Sequence, residues 1–151
     1  MHQIDEKDTV LLAVLKENSQ LSIQKISKNT GIPVATVHNR IKRMKENGII
    51  AGYTIKIDKT KVGRKMTAYV LVKTAQKANQ GDILHKIVKH GVVEEGSMIT
   101  GEFDLIFKVC VKDMEELNGF VVKYLRLMGE VAETRTTISY ENVVNENSAI
   151  I

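Results

Sequence analysis

The feature that most constrains this chain is the stretch from Ser22 to Ile57, in which two apolar patterns flank a glycine and a proline. Apolar side chains there repeat at the spacing of a helix face. They are Ile23 and Ile26 in the first set, and Val37, Ile41 and Met44 in the second. Gly31 suits the left-handed conformation that ends a helix, and Pro33 suits the start of the next one. The stretch therefore predicts two short helices joined by a tight turn.

The second of these helices, about Val34 to Asn47, has an outward face suited to a DNA groove. If the apolar set faces inward, small, hydrogen-bonding and cationic side chains face outward. They are Ala35, Thr36, His38, Asn39, Lys42 and Arg43. Asn39 can read adenine in bidentate fashion, and Thr36 can touch a thymine methyl. The pattern favours a helix-turn-helix whose second helix lies in the major groove. The alternative is a basic surface helix whose charge serves only solubility.

The neighbouring segments complete a small N-terminal unit. Asp5–Glu17 is predicted to be the first helix with Asp5 as its cap, and Ser22 is predicted to cap the second. Gly48 ends the third helix. Ile49–Ile57 then alternates loosely between apolar and polar residues, which predicts a strand acting as a wing or as a hinge.

The charge distribution supports a nucleic-acid partner for this N-terminal part. The whole chain carries a formal net charge of +4. Residues 1–60 hold 10 Lys and Arg against 6 Asp and Glu, whereas residues 61–151 hold 12 of each. The excess positive charge therefore lies entirely in the part with the helix-turn-helix pattern, as expected where phosphate contacts dominate binding.

The second part of the chain predicts the element order βαββαβ. The predicted strands are Met66–Lys73, Val92–Thr100, Phe103–Val111 and Val131–Tyr140, and the predicted helices are Gly81–His90 and Met114–Met128. The last helix has an apolar face at helical spacing that is predicted to be buried. Its members are Met114, Leu117, Phe120, Val121, Tyr124, Leu125 and Met128. This order is typical of a ferredoxin-like fold, an antiparallel sheet with both helices on one face. The fold class is therefore predicted to be α+β.

Several short motifs carry a resemblance to a known family. They are Ile32, Thr36-Val37, Arg40-Ile41-Lys42-Arg43-Met44, Gly48-Ile49-Ile50 and Gly52-Tyr53. Together they resemble the DNA-binding signature of the Lrp/AsnC (feast/famine) transcription regulators, with Met44 in place of the usual Leu. The resemblance covers nearly the whole chain and implies a winged-helix-like DNA-binding domain over 1–57, a linker over 58–65 and an effector-binding and oligomerisation domain over 66–151.

The resemblance also implies site residues. The candidate DNA contacts are Gln24, Lys25, Ala35, Thr36, His38, Asn39, Arg40, Lys42 and Arg43, with Lys28 as a further phosphate contact. The candidate effector residues lie in the turn between the second and third strands and are Thr100, Gly101, Glu102 and Asp104. Amino-acid effectors of the family bind near this turn, between dimers. The alternative for the turn is a plain hairpin with solvated carboxylates.

A homodimer is predicted from the first strand. Residues 68–72 are apolar on both faces, and a monomer rarely leaves such a patch in water. One face meets the two helices, and the simplest cover for the other is the sheet of a second copy. The resemblance implies the same, with dimers that assemble further into tetramers or octamers.

Signals of catalysis and of metal or cofactor binding are weak. The four histidines do not cluster at metal-ligand spacing with each other or with Cys110, and neither a phosphate loop nor a dinucleotide fingerprint is present. Cys110 falls within a strand and is predicted to be an inert packed thiol. No apolar run reaches the ~20 residues of a membrane span, and acidic residues replace the basic start of a signal peptide.

These observations predict a cytoplasmic protein that is neither an enzyme nor a cofactor binder. Two alternatives remain open from the sequence. One is an enzyme resembling the siroheme decarboxylases, which share the Lrp/AsnC architecture. The other is an interaction module whose helix-turn-helix no longer binds DNA.

Overall fold

The computed structural model of the protein describes residues 3–143, which form two compact units. Residues 3–56 make up the first unit and residues 57–143 the second. The α+β class and the order of helices and strands in the second unit are as predicted.

The first unit contains three helices around a small apolar core. They are α1 (Glu6–Glu17), α2 (Ile23–Thr30) and α3 (Val34–Glu46). The predicted caps are confirmed: the Asp5 carboxylate accepts a hydrogen bond from Asp8 N, and Ser22 Oγ accepts one from Lys25 N. Gly31 ends α2 with a φ of 71°, in the left-handed region that favours glycine. The core holds the apolar residues predicted to face inward on α2 and α3, together with Leu11 and Leu15 of α1. Leu11, Ile26, Val37 and Met44 are essentially inaccessible to solvent.

The predicted strand at Ile49–Ile57 is wrong. The amides of Ile49 and Ile50 both donate to Met44 O, so the chain first folds back on the end of α3. Residues 51–57 then run without regular structure, exposed to solvent. Alternating apolar residues indicate which side chains share a face, but a strand also needs a neighbour for its backbone hydrogen bonds. No segment among residues 3–143 pairs with this one.

Residues 58–64, predicted to lie in a linker, form an ordered turn that packs within the second unit. Asp58 Oδ1 accepts hydrogen bonds from the amide and hydroxyl of Thr60. Lys59 forms an ion pair with Glu94, and the Arg64 guanidinium donates to Cys110 O. The segment is therefore fastened to the sheet of the C-terminal unit by side chains near both of its ends.

The second unit is a four-stranded antiparallel sheet. Its strands are β1 (Met66–Thr74), β2 (Val93–Met98), β3 (Leu105–Val111) and β4 (Val131–Ser139), in the order β2-β3-β1-β4. This is the predicted ferredoxin-like topology. In the sequence, every second residue from Phe103 to Val111 is apolar, which is typical of a strand with one buried face. All five of these residues are buried: Phe103, Leu105, Phe107, Val109 and Val111.

The helices of the second unit cover one face of this sheet and differ from prediction in their ends and form. The first, α4 (Gln80–Ile87), ends three residues earlier than expected. The second begins as α5 (Met114–Asn118), widens into a π-helical segment at Gly119–Tyr124 and closes with a 3₁₀ turn at Leu125–Leu127. The helix predicted over Met114–Met128 is therefore present as far as Leu127, but it is not one regular α-helix. Met114, predicted to be buried, is 55% exposed.

Candidate nucleic-acid interface

The outward face of α3 is set by its core residues. Val37, Ile41 and Met44 anchor the helix in the first unit, so the opposite side is left to solvent. Five of the predicted contact residues on α3 are exposed, and Thr36 is half-buried. The exposed ones are Ala35, His38, Asn39, Lys42 and Arg43. From Val34 to Lys45 the helix contains no carboxylate, so its solvent face has no acidic residue before Glu46.

The first turn of α2 contributes the remaining candidates. Ser22 caps this turn, and Gln24 and Lys25 follow it with exposed side chains. Lys28 is exposed one turn further along. Because a helix N-terminus carries partial positive charge, this turn is electrostatically suited to an anion such as a phosphate.

Arg40 differs from the other candidates, because its guanidinium is held by two carboxylates, one from the cap and one from the first turn of α1. Its Nη1 lies 2.7 Å from both Oδ1 and Oδ2 of Asp5 and 2.9 Å from Oδ1 of Asp8. The Asp8 side chain is fully buried. The hydrogen bond from Asp8 N and then the Arg40 guanidinium lower the pKa of Asp5, and Asp5 and Asp8 in turn raise the pKa of Arg40.

A shallow groove of about 260 Å³ lies beside α3. It is lined by Thr36, Asn39, Arg40 and Arg43, so the structure brings four predicted contact residues to one place. Arg43 Nη2 also lies 3.9 Å from Asp8 Oδ2. The groove therefore has a cationic rim. Arg40 is turned inward toward Asp5 and Asp8, whereas Arg43 is half exposed.

The predicted effector turn has a defined geometry within the second unit. Ile99 N donates to Asp104 O, which closes the turn at its base. Gly101 has a φ of 123°, a conformation that L side chains rarely adopt. Thr100, Gly101 and Glu102 are exposed, whereas Phe103 is buried beneath them.

The two carboxylates of this turn play different structural parts. Asp104 Oδ2 accepts hydrogen bonds from Thr74 N at 2.7 Å and from the Thr74 hydroxyl at 2.9 Å, and its Oδ1 accepts one from Gln80 Nε2 at 3.0 Å. The Thr74 bonds lower the pKa of Asp104. Asp104 thus ties the turn to the end of β1 and the start of α4.

Glu102 instead forms an exposed ion pair with Arg135 of β4. The two nitrogen–oxygen distances are 3.0 and 3.2 Å, and the Arg135 guanidinium lies 4.6 Å from the centre of the Phe103 ring. Sequence reasoning missed Arg135, Thr74 and Gln80. Each lies at least 24 positions from its partner in the turn, and no local pattern marks such a pairing.

The described part of the chain shows no arrangement typical of a metal centre or a membrane segment. Among residues 3–143, no group of three His, Cys, Asp or Glu side chains is placed to hold a metal ion. None of the helices there has the length and hydropathy that a membrane crossing requires. Burial raises the pKa of the Cys110 thiol, with Glu94 adding to the shift, which favours the protonated form.

A helix-turn-helix unit followed by a ferredoxin-like unit defines a class of two-domain DNA-binding regulators. Residues 4–51 match the family model for winged helix-turn-helix DNA-binding domains, and residues 67–149 match the model for the Lrp/AsnC ligand binding domain. The chain belongs to the Lrp/AsnC family of HTH-type transcriptional regulators.

A curated relative agrees with this assignment, and solved structures share the fold. An uncharacterized HTH-type transcriptional regulator of Pyrococcus furiosus is 36% identical over 95% of this chain and 97% of its own. The fold is similar to Escherichia coli AsnC, with a TM-score of 0.87 and 23% identity over 95% of this chain and 97% of that one. It is also similar to a Neisseria meningitidis transcriptional regulator in complex with L-Met, with a TM-score of 0.90 and 21% identity over 97% of this chain and 96% of that one.

Proposed function

We propose that this regulator reads DNA with α3 as its recognition helix. The observation that carries the proposal is the division of α3 into a buried apolar face and a solvent face without carboxylates from Val34 to Lys45. Such a face can approach the phosphate backbone without repulsion, and the small and amide side chains near its N-terminus suit base edges.

Each exposed residue is proposed to have one of two roles. Thr36, His38 and Asn39 bias the choice of sequence, with Ala35 allowing close approach to the bases. Phosphate contacts come from Lys42 and Arg43 on α3 and from the first turn of α2, with Gln24 and Lys25 as its contributors and Lys28 beyond them. We also propose that the chain has no catalytic role and that it acts in the cytoplasm.

Fragment selection tests this function directly. Genomic fragments bound by the purified protein are selected and footprinted at two salt concentrations. We expect a pseudo-palindromic footprint and an affinity whose logarithm falls linearly with the logarithm of salt, with a slope of about 0.9 per phosphate contact. Weak binding that is blind to sequence and unchanged by salt would overturn the proposal.

Charge reversal at Arg43 tests the assignment of α3. On the selected fragment, Arg43→Glu is expected to weaken binding by at least tenfold, since it removes a phosphate contact and adds repulsion. The control is Lys89→Glu, which makes the same change in net charge at an exposed position of the second unit. Equal affinities for the two variants would contradict the role of α3.

We further propose that the protein is a homodimer joined through the open face of its sheet. Tyr69 and Leu71 on β1 and Ile106 on β3 lie on the face opposite the helices, and all three are half-buried. A partner's sheet would cover this apolar strip. Two copies also present two recognition helices, as a pseudo-palindromic site requires. Assembly of dimers into tetramers or octamers is part of the same proposal.

An amino acid is the proposed effector. The matched ligand binding domain and the L-Met complex of the Neisseria meningitidis neighbour support an amino acid as the ligand. We propose that it binds at the turn of Thr100, Gly101 and Glu102. The exposed backbone there suits a carboxylate. Glu102 is the better partner for an ammonium group. Its ion pair with Arg135 is exposed to solvent, whereas Asp104 is hydrogen-bonded to Thr74 and Gln80 at the base of the turn.

The effector acts as an allosteric ligand only if it binds two assemblies with different affinity. The test screens the twenty amino acids for a shift in sedimentation and in DNA affinity. We expect at least one to change both, and Glu102→Gln to weaken that response while Glu115→Gln on α5 leaves it intact. No change with any of the twenty would overturn the effector proposal.

A further inference from the structure

We infer that Arg40 is a positioning residue of the DNA interface, not a phosphate contact: it neutralises Asp5 and Asp8 and thereby leaves Arg43 available to the DNA. The inference rests on the proposed DNA-binding role of α3. It concerns a residue that the sequence places on the recognition helix among exposed cations, but whose side chain the fold turns toward α1.

The first step is the geometry of the guanidinium. Arg40 Nη1 has three carboxylate oxygens within 2.9 Å, from Asp5 and Asp8, and the side chain is only 20% exposed. The exposed candidates Lys42 and Arg43 have side-chain exposures of 65% and 50%. A phosphate would have to compete with two carboxylates for Arg40, whereas the other two cations are open to solvent.

The second step is the cost of leaving Asp8 without its arginine. The Asp8 carboxylate is fully buried, and the loss of an ion pair by a buried charge is strongly unfavourable. Asp8 also belongs to the capping box of α1, in which its carboxylate and that of Asp5 accept from each other's backbone N–H. These capping bonds hold both carboxylates in place beside α3. A cation between Asp5 and Asp8 is therefore strongly favoured.

The third step identifies the cation that would replace Arg40. Arg43 is one helical turn away on α3, and its Nη2 already lies 3.9 Å from Asp8 Oδ2. With Arg40 in place, this distance is longer than a hydrogen bond and the Arg43 head remains half exposed. Without Arg40, Asp5 and Asp8 would lose the guanidinium that they share. Their carboxylates would then draw Arg43 inward and remove it from the groove it shares with Thr36 and Asn39.

The experiment measures the salt dependence of DNA affinity for the full chain on one selected fragment. Arg43→Gln supplies the reference, since losing one phosphate contact lowers the slope by about 0.9. Arg40→Gln is expected to lower the slope by a similar amount, because Arg43 is then recruited to Asp8. The deciding variant is Asp5→Asn/Asp8→Asn/Arg40→Gln, which removes the carboxylates together with their arginine. Asn is as good a helix cap as Asp, so the start of α1 is retained.

The positioning role predicts that the triple variant regains the wild-type slope, since nothing then withdraws Arg43. A direct phosphate role for Arg40 predicts a slope that stays lower by about 0.9, and that result would overturn the inference. Circular dichroism verifies that each variant is folded. If the triple variant is not, Asp8→Asn/Arg40→Gln provides the same comparison with a single carboxylate removed.

The two proposals fail in different ways. A wild-type chain that binds DNA without salt dependence, or an Arg43→Gln variant with an unchanged slope, would overturn the proposed role of α3. A salt-dependent wild type with a normal Arg43→Gln response and an unrestored triple variant would overturn only the positioning role of Arg40.

Discussion

Single carboxylates fix several turns and helix starts of this protein by accepting hydrogen bonds from neighbouring segments. Asp104 is the clearest case, because its two oxygens join the effector turn to Thr74 at the end of β1 and to Gln80 at the start of α4. Asp104 therefore fixes the shape of the turn in which Gly101 and Glu102 are exposed to solvent. Because it accepts these hydrogen bonds as a carboxylate, its contribution to stability depends on its charge.

The pH dependence of stability tests this role of Asp104. Its pKa in the folded protein lies below the ordinary value of about 3.9, so its stabilising contribution is complete above that value and is lost as pH falls through the folded pKa. We expect the urea midpoint of the wild type to fall below about pH 4. Asp104→Asn should lower the midpoint at pH 7 and make the acid-induced fall smaller.

Other carboxylates also contribute to the loss of stability in acid, so Asp104→Asn is expected to reduce the fall in the urea midpoint without abolishing it. Asp58, whose pKa is lowered chiefly by the Thr60 hydroxyl, contributes in the same pH range. Glu115→Gln on α5 is the matched control, since it removes an exposed carboxylate away from the turn. An Asp104→Asn variant whose acid response equals that of the wild type would show that its charge does not stabilise the fold.

At the scale of elements, the close approach of β2 to its neighbours depends on Gly96. A methyl group at this position would lie 2.8 Å from two ring carbons of Phe107 on β3 and 2.9 Å from Leu84 Cδ1 on α4. Phe107 is fully buried in the core of the second unit, so its ring has little room to yield. The glycine here serves packing and not backbone conformation, because its φ is not positive.

Gly96→Ala is expected to destabilise the second unit by about 1–3 kcal/mol, the usual cost of overpacking a core. Thermal and urea unfolding measure the change. Gly91→Ala is the matched control, because Gly91 has no atom within 4 Å of the added methyl and no positive φ. Its effect should stay within about 0.5 kcal/mol. Equal stabilities for the two variants would show that Phe107 and Leu84 move aside without cost.

The last helix shows how an element can keep its apolar face and change its form. Leu117, Phe120, Val121 and Leu125 are buried as the spacing predicts, yet the backbone widens into π-helical turns from Gly119 to Tyr124. In this form the rings of Phe120 and Tyr124 both pack against His90, with centroid distances of 4.9 and 4.7 Å. Periodicity predicts which side is buried but does not distinguish one kind of helix from another.

At the scale of the whole molecule, the open sheet face decides the proposed oligomeric state. Leu71 lies on that face in register with Ile106 of β3 and Arg135 of β4. If a second copy covers it, a charge placed there must be buried without a partner, which is strongly unfavourable.

Leu71→Arg is therefore expected to convert the dimer to a monomer at micromolar concentration and to weaken DNA binding in parallel. Sedimentation velocity measures the first effect and fluorescence anisotropy the second. Leu127→Arg is the control, since Leu127 is 78% exposed in the helical layer on the other side of the sheet. A Leu71→Arg variant that remains dimeric would place the interface elsewhere.

Features that depend on near neighbours in the chain were predictable from the amino-acid sequence. Helix spacing, the caps Asp5 and Ser22, the left-handed Gly31 and the alternation along β3 all arise from interactions within a few residues or from one buried face. The two-domain order and the exposed side of α3 followed from those local patterns. The family motifs lie in the same segments, so the residues alone were enough to recognise them.

Contacts between distant segments, in contrast, depend on how the folded elements pack. Arg40 looks like its exposed neighbours in sequence, but the fold pairs it with Asp5 and Asp8, more than 30 positions away. The same is true of Asp104 with Thr74, while residues 51–57 fail to form a strand because no described segment lies beside them. A side chain's partner depends on how whole helices and strands pack, and the spacing of residues within one segment does not predict that packing.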